Sequence, residues 1–292
     1  MERRIGAAAL AGMIALAGTS GALAQTTPAP SMTDALAYTF FNPVPDSAMR
    51  SFNTDRPTKS NVPFTVDAGH VQYEMDLFNY ARQVSGTTRM DTWLAPNPTL
   101  KVGITNNADL ELNIAPFASV RTFDSATGRS STVTGTGDLF ARMKINLWGN
   151  NGGQTSFALI PYVKAPTAPV GIGNGAVEGG VIAPLSISLP NDFTLLFNSE
   201  VDALKNNVSA GYHPNFTNLV NLSRPIVKDV TLYVELWSSI NEDPLRTVRQ
   251  VSFDTAVQWT VRPNFAIDAG VNLGLNRDTP AMQVYAGVSQ RF

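Results

Sequence analysis

Cysteine is absent from the 292 residues, histidine occurs only twice, and just 15% of positions are charged. The first absence removes disulfides, thiolate nucleophiles and Cys-based metal sites. The second leaves little from which to build a zinc site or a Ser–His pair. His70 falls just before the first extended segment, and His213 falls in a predicted connector at the opposite end. No Gly-x-Ser-x-Gly elbow occurs. Gly171 and Gly173 lie in a predicted loop without strand-to-helix context, so nucleotide binding finds no support. A formal net charge of -2 is too small to point to a nucleic-acid partner. These absences argue for a protein that is not an enzyme and has no cofactor, metal or nucleic acid. Past residue 25 no run of about 20 apolar residues occurs, so no transmembrane helix is expected.

What the chain does have begins with a targeting segment. Arg3 and Arg4 supply positive charge, residues 5–17 are apolar and Ala-rich, and Ala22-Leu23-Ala24 fits the small-x-small cleavage rule. Residues 1–24 are therefore read as a signal peptide. Residues 25–66 form a lead-in holding Pro28, Pro30, Pro43, Pro45, Pro57 and Pro63, too dense for regular helix or central strand. Within it, Asp55 and Arg56 suggest a plug that folds into a barrel mouth. The alternative is a periplasmic tail.

From residue 67 onward, segments of about 10 to 13 residues alternate apolar and polar, the mark of half-buried strands. Twelve are predicted: 71–82, 91–104, 110–121, 138–147, 156–164, 176–189, 193–203, 216–223, 230–240, 251–261, 265–275 and 282–292. Nine to eleven residues suffice for a tilted strand to cross a bilayer. The connectors fall into two alternating sets. Short turns rich in Asn, Asp, Gly and Pro are read at 105–109, 149–153, 190–192, 224–229 and 262–264. Mostly longer polar loops are read at 83–90, 122–136, 165–175, 204–215, 241–250 and 276–281. This asymmetry predicts a transmembrane antiparallel up-and-down β-barrel of about 12 strands, range 10 to 14.

The last segment alternates and ends on Phe292, and so resembles the closing strand of bacterial outer-membrane barrels. That resemblance implies outer-membrane lipid around the barrel and recognition of this end by barrel-assembly machinery in a Gram-negative cell. A narrower resemblance rests on three groups of residues. The first is Asp55-Arg56-Pro57 with Val62-Pro63-Phe64-Thr65-Val66 and Gly69-His70-Val71-Gln72-Tyr73-Glu74. The second is Lys101-Val102-Gly103-Ile104-Thr105 with Asp109-Leu110-Glu111-Leu112. The third is Gly137-Asp138-Leu139 with Lys144. Together they resemble the outer-membrane proteins named for the meta pathway of phenol degradation, over residues 55–292. The resemblance implies a barrel and the uptake of small, hydrophobic or aromatic molecules, with the solute itself unspecified.

Strand parity assigns charges to the lumen: Glu74, Lys101, Glu111, Arg121, Arg142, Lys144, Lys164, Glu178, Glu200, Asp202, Glu235, Asp254 and Asp268. The basic ones fall in the first half of the barrel, and the second half is mostly acidic. Closure would set a basic wall against an acidic one, as a bracing network or as a field across the channel. The expected function is that of an outer-membrane channel or transporter. The alternatives are a non-transporting structural or adhesion barrel and a soluble periplasmic β protein that binds a ligand.

Overall fold

The computed structural model describes residues 38–292. The predicted signal peptide and the start of the lead-in lie outside the described residues. Fifteen strand segments follow: β1 (Val71–Ser85), β2 (Thr88–Leu94), β3 (Asn97–Thr105), β4 (Ala108–Asn113), β5 (Ala118–Asp124), β6 (Ser130–Gly135), β7 (Leu139–Trp148), β8 (Thr155–Ala165), β9 (Glu178–Ser188), β10 (Thr194–Lys205), β11 (Tyr212–Val227), β12 (Val230–Asp243), β13 (Arg246–Arg262), β14 (Phe265–Gly274) and β15 (Met282–Arg291). Every pairing is antiparallel, and β15 pairs with β1 to close the ring.

The fifteen segments make twelve staves. β1 pairs with β2 along its upper half and with β3 along its lower half. β5 then continues from β2 and β4 from β3. β6 and β7 extend the same two rows. The pairs β2/β3, β4/β5 and β6/β7 are thus single staves, each interrupted once. The breaks lie side by side, at Ala95–Pro96, Ile114–Phe117 and Thr136–Asp138. Pro96 and Pro116 have no N–H to give a ladder, which explains why two of the strands let go there. The Ala95 N–H to the Phe117 carbonyl and the Gly137 N–H to the Ala115 carbonyl hold the seam.

Alternation decides which way each side chain points, and here the apolar side points outward. On β10, Phe197 and Val201 are exposed while Leu196, Asn198 and Asp202 are buried. On β13, Val257 and Trp259 are exposed while Ser252, Asp254 and Ala256 are buried. Among the described residues no second sheet covers the apolar faces of these strands. Among the largest fully buried side chains are Lys144, Gln72, Glu111, Glu235 and Asp254. A water-soluble core would place such residues outside. Polar residues inside a closed ring and apolar residues outside it suit a wall surrounded by hydrocarbon, because closure also satisfies every strand edge. Rings gather at both ends: Trp148 stacks on Phe157 at 4.8 Å near the 149–154 turn, and Trp93 packs on Tyr80 at 4.4 Å near the β1–β2 hairpin.

Several predicted loops are strand instead. β1 and β2 continue to a tight turn at Gly86–Thr87, where Gly86 has φ 58°. β12 and β13 continue to Pro244–Leu245, and β6 occupies part of the predicted 122–136 loop. The predicted 224–229 turn shrinks to Lys228–Asp229. His213, placed by sequence in a loop, lies on β11. Apart from a few exposed apolar side chains such as Val84, Ile226 and Val227, these extensions are polar on both faces. Alternation arises only where one face meets lipid, so strand beyond the apolar band reads as loop.

An arginine in place of Leu236, exposed at the middle of β12, should cost roughly 2–4 kcal/mol of stability in lipid vesicles. The same change at Leu245, in the hairpin turn, should cost under about 1 kcal/mol. Urea unfolding in bilayers measures both, and equal costs would contradict a lipid-facing role for Leu236.

Candidate functional site

Residues 50–67 leave the barrel rim, enter the lumen and return. Their base is closed by Arg50, whose Nε donates to Asp67 Oδ1 at 2.7 Å, and by Arg291, whose Nη1 donates to Asp67 Oδ2 at 3.0 Å. Gly103 permits the close approach of the returning chain, since a Cβ there would meet the Asp67 carbonyl oxygen at 2.0 Å.

Between Ser51 and Val66 the segment has neither helix nor strand, so its backbone groups need other partners. Lumenal amides and carboxylates supply them from around the ring. Asn198 accepts from the Asn61 N–H at 2.6 Å and donates to the Asn61 carbonyl at 3.0 Å. Asn146 donates to the Pro63 carbonyl at 2.8 Å, and Gln72 to the Asn53 carbonyl at 2.9 Å. Asp109 accepts from Val66 N–H at 2.8 Å and Glu235 from Lys59 N–H at 3.2 Å. Side chains join in as well, with Gln258 donating to Thr54 Oγ1 and Asn221 to Thr58 Oγ1.

The charges of the segment match the two walls. Asp55 meets the basic wall: Lys144 Nζ lies 2.9 Å from its Oδ1, and Lys101 Nζ contacts its Oδ2. Behind these two ammoniums stand Glu74, 2.5 Å from Lys101, and Glu111, 3.2 Å from Lys144. Burial alone would raise the Asp55 carboxyl, but Lys101 and Lys144 outweigh it and hold the group below its ordinary value. Arg56 meets the acidic wall. Its Nε donates to Asp268 Oδ2 at 2.9 Å, its Nη2 to Asp268 Oδ1 at 2.5 Å, and its Nη1 to Asp76. Lys59 lies 3.1 Å from Asp254, donates to Ser252 at 2.7 Å, and stands 4.2 Å over the Trp237 ring. Burial pushes the Lys59 ammonium down, against the pull of Asp254.

The other sequence-predicted residues are distributed around this core. Lys164 pairs with Glu178 at 2.6 Å and Asp138 at 3.3 Å, next to the loop after β8. Tyr162 donates to Asp202 Oδ1 at 2.6 Å across Gly180, whose missing Cβ would meet that same oxygen at 2.2 Å. Glu200 and Arg142 line open space. Arg121 is exposed on β5 and joins none of these clusters. Sequence reasoning passed over Lys59 and the amides Asn146, Asn198, Asn221 and Gln258. Their signal was available: each amide stands on the buried parity of its strand. The two histidines serve as braces at opposite ends. The His70 ring nitrogens lie 2.7 Å and 2.9 Å from the Val44 and Phe292 carbonyls, and His213 Nδ1 lies 2.9 Å from Asn206 Oδ1.

Open space remains on both sides of the inserted segment. A cavity of about 550 Å³ opens at the short-turn end, lined by Phe64, Leu196, Tyr233 and Gln258 among others. A second, about 250 Å³, lies deeper, lined by Glu74, Lys101, Arg142, Ile182 and Glu200. Asp55, Arg56, Thr58 and Ser60 border both.

Replacing Arg56 by Met leaves Asp76 and Asp268 facing each other without a cation. A loss of roughly 3–5 kcal/mol is expected in chemical unfolding, as when one partner of a buried pair is removed; a loss under about 1 kcal/mol would contradict this placement. Because Asp55 is held below its ordinary 3.8, its contribution is complete above that pH and drains away as pH falls through the lower folded value. Asp55→Asn should remove that acid-side component from a stability–pH curve, and an unchanged curve would count against the pairing.

Comparison with solved structures gives the following matches. An outer membrane channel of Pseudomonas putida F1 has a TM-score of 0.61 at 12% identity, covering 82% of this chain and 100% of that one. The NanC porin gives 0.48 at 8% identity, over 74% and 98% of the two chains. The CymD monoaromatic hydrocarbon channel gives 0.42 at 7% identity, over 76% and 87%. Comparison with curated proteins gives no match. The closed ring is thus a fold shared with an outer membrane channel. Residues 54–292, from the inserted segment to the closing strand, match the family described as "Putative MetA-pathway of phenol degradation", and the chain belongs to that family.

Proposed function

We propose that the protein is an outer-membrane channel for small molecules, closed at rest by residues 50–67. The observation that carries this reading is the inserted segment itself: it lies between two cavities inside a lipid-facing ring and bears the charges that complement the walls around it. A barrel of about eight strands has a filled interior, whereas 16 to 18 strands leave an open channel. Twelve staves stand between, with room for one extended segment and cavities beside it.

The same reading places the barrel in the outer membrane of a Gram-negative cell after removal of residues 1–24. The apolar outer band and the paired aromatic rings support it. Recognition of β15 by assembly machinery belongs to the proposal, supported by the way this strand seals the ring: the Val71 N–H donates to the Phe292 carbonyl at 3.2 Å, and the Phe292 N–H donates to the Val71 carbonyl at 2.8 Å. Hydrophobic or aromatic solutes are supported by the family description alone. A non-transporting structural barrel is the second reading, favoured by the number of contacts that hold the segment in place.

The natural absence of cysteine makes a direct test available. Thr58 Oγ1 and Asn221 Nδ2 are 3.2 Å apart, so Thr58→Cys with Asn221→Cys places two thiols within reach of a short bis-methanethiosulfonate reagent that ties segment to wall through reducible disulfides. Solute flux into liposomes should fall on cross-linking and return on reduction. Deleting residues 25–64 should raise single-channel conductance several-fold. Flux indifferent to the cross-link, together with unchanged conductance after deletion, would contradict a gate and leave the structural reading.

A further inference from the structure

The 250 Å³ cavity is lined by four cations and four carboxylates: Arg56, Lys59, Lys101 and Arg142 against Asp55, Glu74, Asp76 and Glu200. Three of the cations are committed. Arg56 holds Asp76 and Asp268, Lys59 holds Asp254, and Lys101 holds Asp55 and Glu74. Arg142 is the exception, with no carboxylate within ion-pair distance among the described residues. Its Nε is buried and has no hydrogen-bond partner. Leaving such a donor unmade is costly, and a guanidinium satisfies a carboxylate with two parallel N–H bonds.

The strands prepare Arg142 for a ligand. It shares the inward face of β7 with Phe140 and Lys144. Phe140 lies under the guanidinium, 5.8 Å from ring centroid to Cζ, and its ring is 6.2 Å from that of Tyr162. The Phe140 ring thus stands within cation–π reach of the guanidinium, and Arg142 itself lines the cavity. Across β8 and β9, Arg142 is in register with Tyr162 and then Gly180, whose missing side chain makes room for the Tyr162–Asp202 hydrogen bond. One strand further, Glu200 lines the same cavity and likewise has no cation within ion-pair distance among the described residues. Buried Ile182 supplies apolar wall between the two.

We infer that Arg142 anchors a solute-binding site in the lumen. The site takes a small organic acid whose carboxylate meets Arg142, whose apolar body lies along Ile182, and whose distal hydroxyl donates to Glu200. This rests on the channel reading for its purpose, but not for its chemistry. It selects by charge: a neutral analogue leaves the guanidinium unsatisfied.

The probe is 4-hydroxybenzoate, titrated calorimetrically into the full-length protein in detergent, with 4-hydroxybenzyl alcohol as the neutral counterpart. Wild type should bind the acid and not the alcohol. Arg142→Gln should weaken the acid at least tenfold. Arg142→Lys, which keeps the charge and loses the fork, should fall in between, and Glu200→Gln should reduce the preference for 4-hydroxybenzoate over benzoate. Heat-modifiable gel migration checks that each variant is a folded barrel; if Arg142→Gln is not, Arg142→Lys decides alone. Equal affinity in wild type and the folded Arg142 variants, or no binding of the acid to wild type, would overturn the inference. Flux of neutral solutes in liposomes is measured in parallel. Flux without Arg142-dependent binding rejects the site and keeps the channel. Arg142-dependent binding without any flux keeps the site and rejects the channel.

Discussion

Ion pairing between the inserted segment and the wall is the constraint on which the rest of the interior depends. Glu111, Lys144 and Asp254 are almost wholly removed from solvent, and an ion held away from water is tolerable only with a partner of opposite sign. The wall does not supply all of those partners by itself. Lys101 and Lys144 on β3 and β7 stand beside Glu74 and Glu111 on β1 and β4, whereas Glu235, Asp254 and Asp268 on β12 to β14 have no cation of the wall within ion-pair distance among the described residues. Asp55 reaches toward one group while Arg56 and Lys59 reach toward the other, so a few consecutive residues neutralise both. The segment also lacks backbone partners of its own, and the lumenal amides make up that lack. Each side completes the other.

The outside of the ring follows from a different requirement. Hydrocarbon offers no hydrogen bonds, so only a closed sheet leaves no edge unsatisfied, and only apolar side chains are cheap on its outer face. The same alternation that sends Phe197 and Val201 outward sends Asn198 and Asp202 inward. Composition therefore stays close to that of a soluble protein even though the arrangement is inverted. The three aligned breaks at residues 95–96, 114–117 and 136–138, the first two holding Pro96 and Pro116, show where the ladder yields without opening the ring.

Much of this was legible in the residues alone. Each of the twelve alternating segments became a stave, because a lipid face and a water face impose a period of two that no other setting demands so uniformly. The hairpin extensions were not legible. Around Gly86–Thr87 and Pro244–Leu245 both faces meet water, so polar strand and polar loop look alike. The lumen was readable by parity for Lys101, Lys144, Asp254 and Asp268, but not by partner. Parity says which way a side chain points, whereas pairing depends on an irregular segment whose path has no period to read. Arg121 illustrates the limit: it was assigned inward by pattern, yet stands exposed on β5 beyond the seam. Lys59 illustrates the reverse, a residue with no strand to give it a face, which nevertheless sits between Asp254 and Trp237.

The central claim is that charge complementarity holds residues 50–67 inside the ring, and a double-mutant cycle on Asp55 and Lys144 tests it most directly. Unfolding free energies of wild type, Asp55→Asn, Lys144→Met and the double variant give a coupling that removes effects private to either residue. The account predicts a favourable coupling of about 1.5 kcal/mol or more at neutral pH. A coupling indistinguishable from zero, with all four proteins folded as barrels, would contradict it.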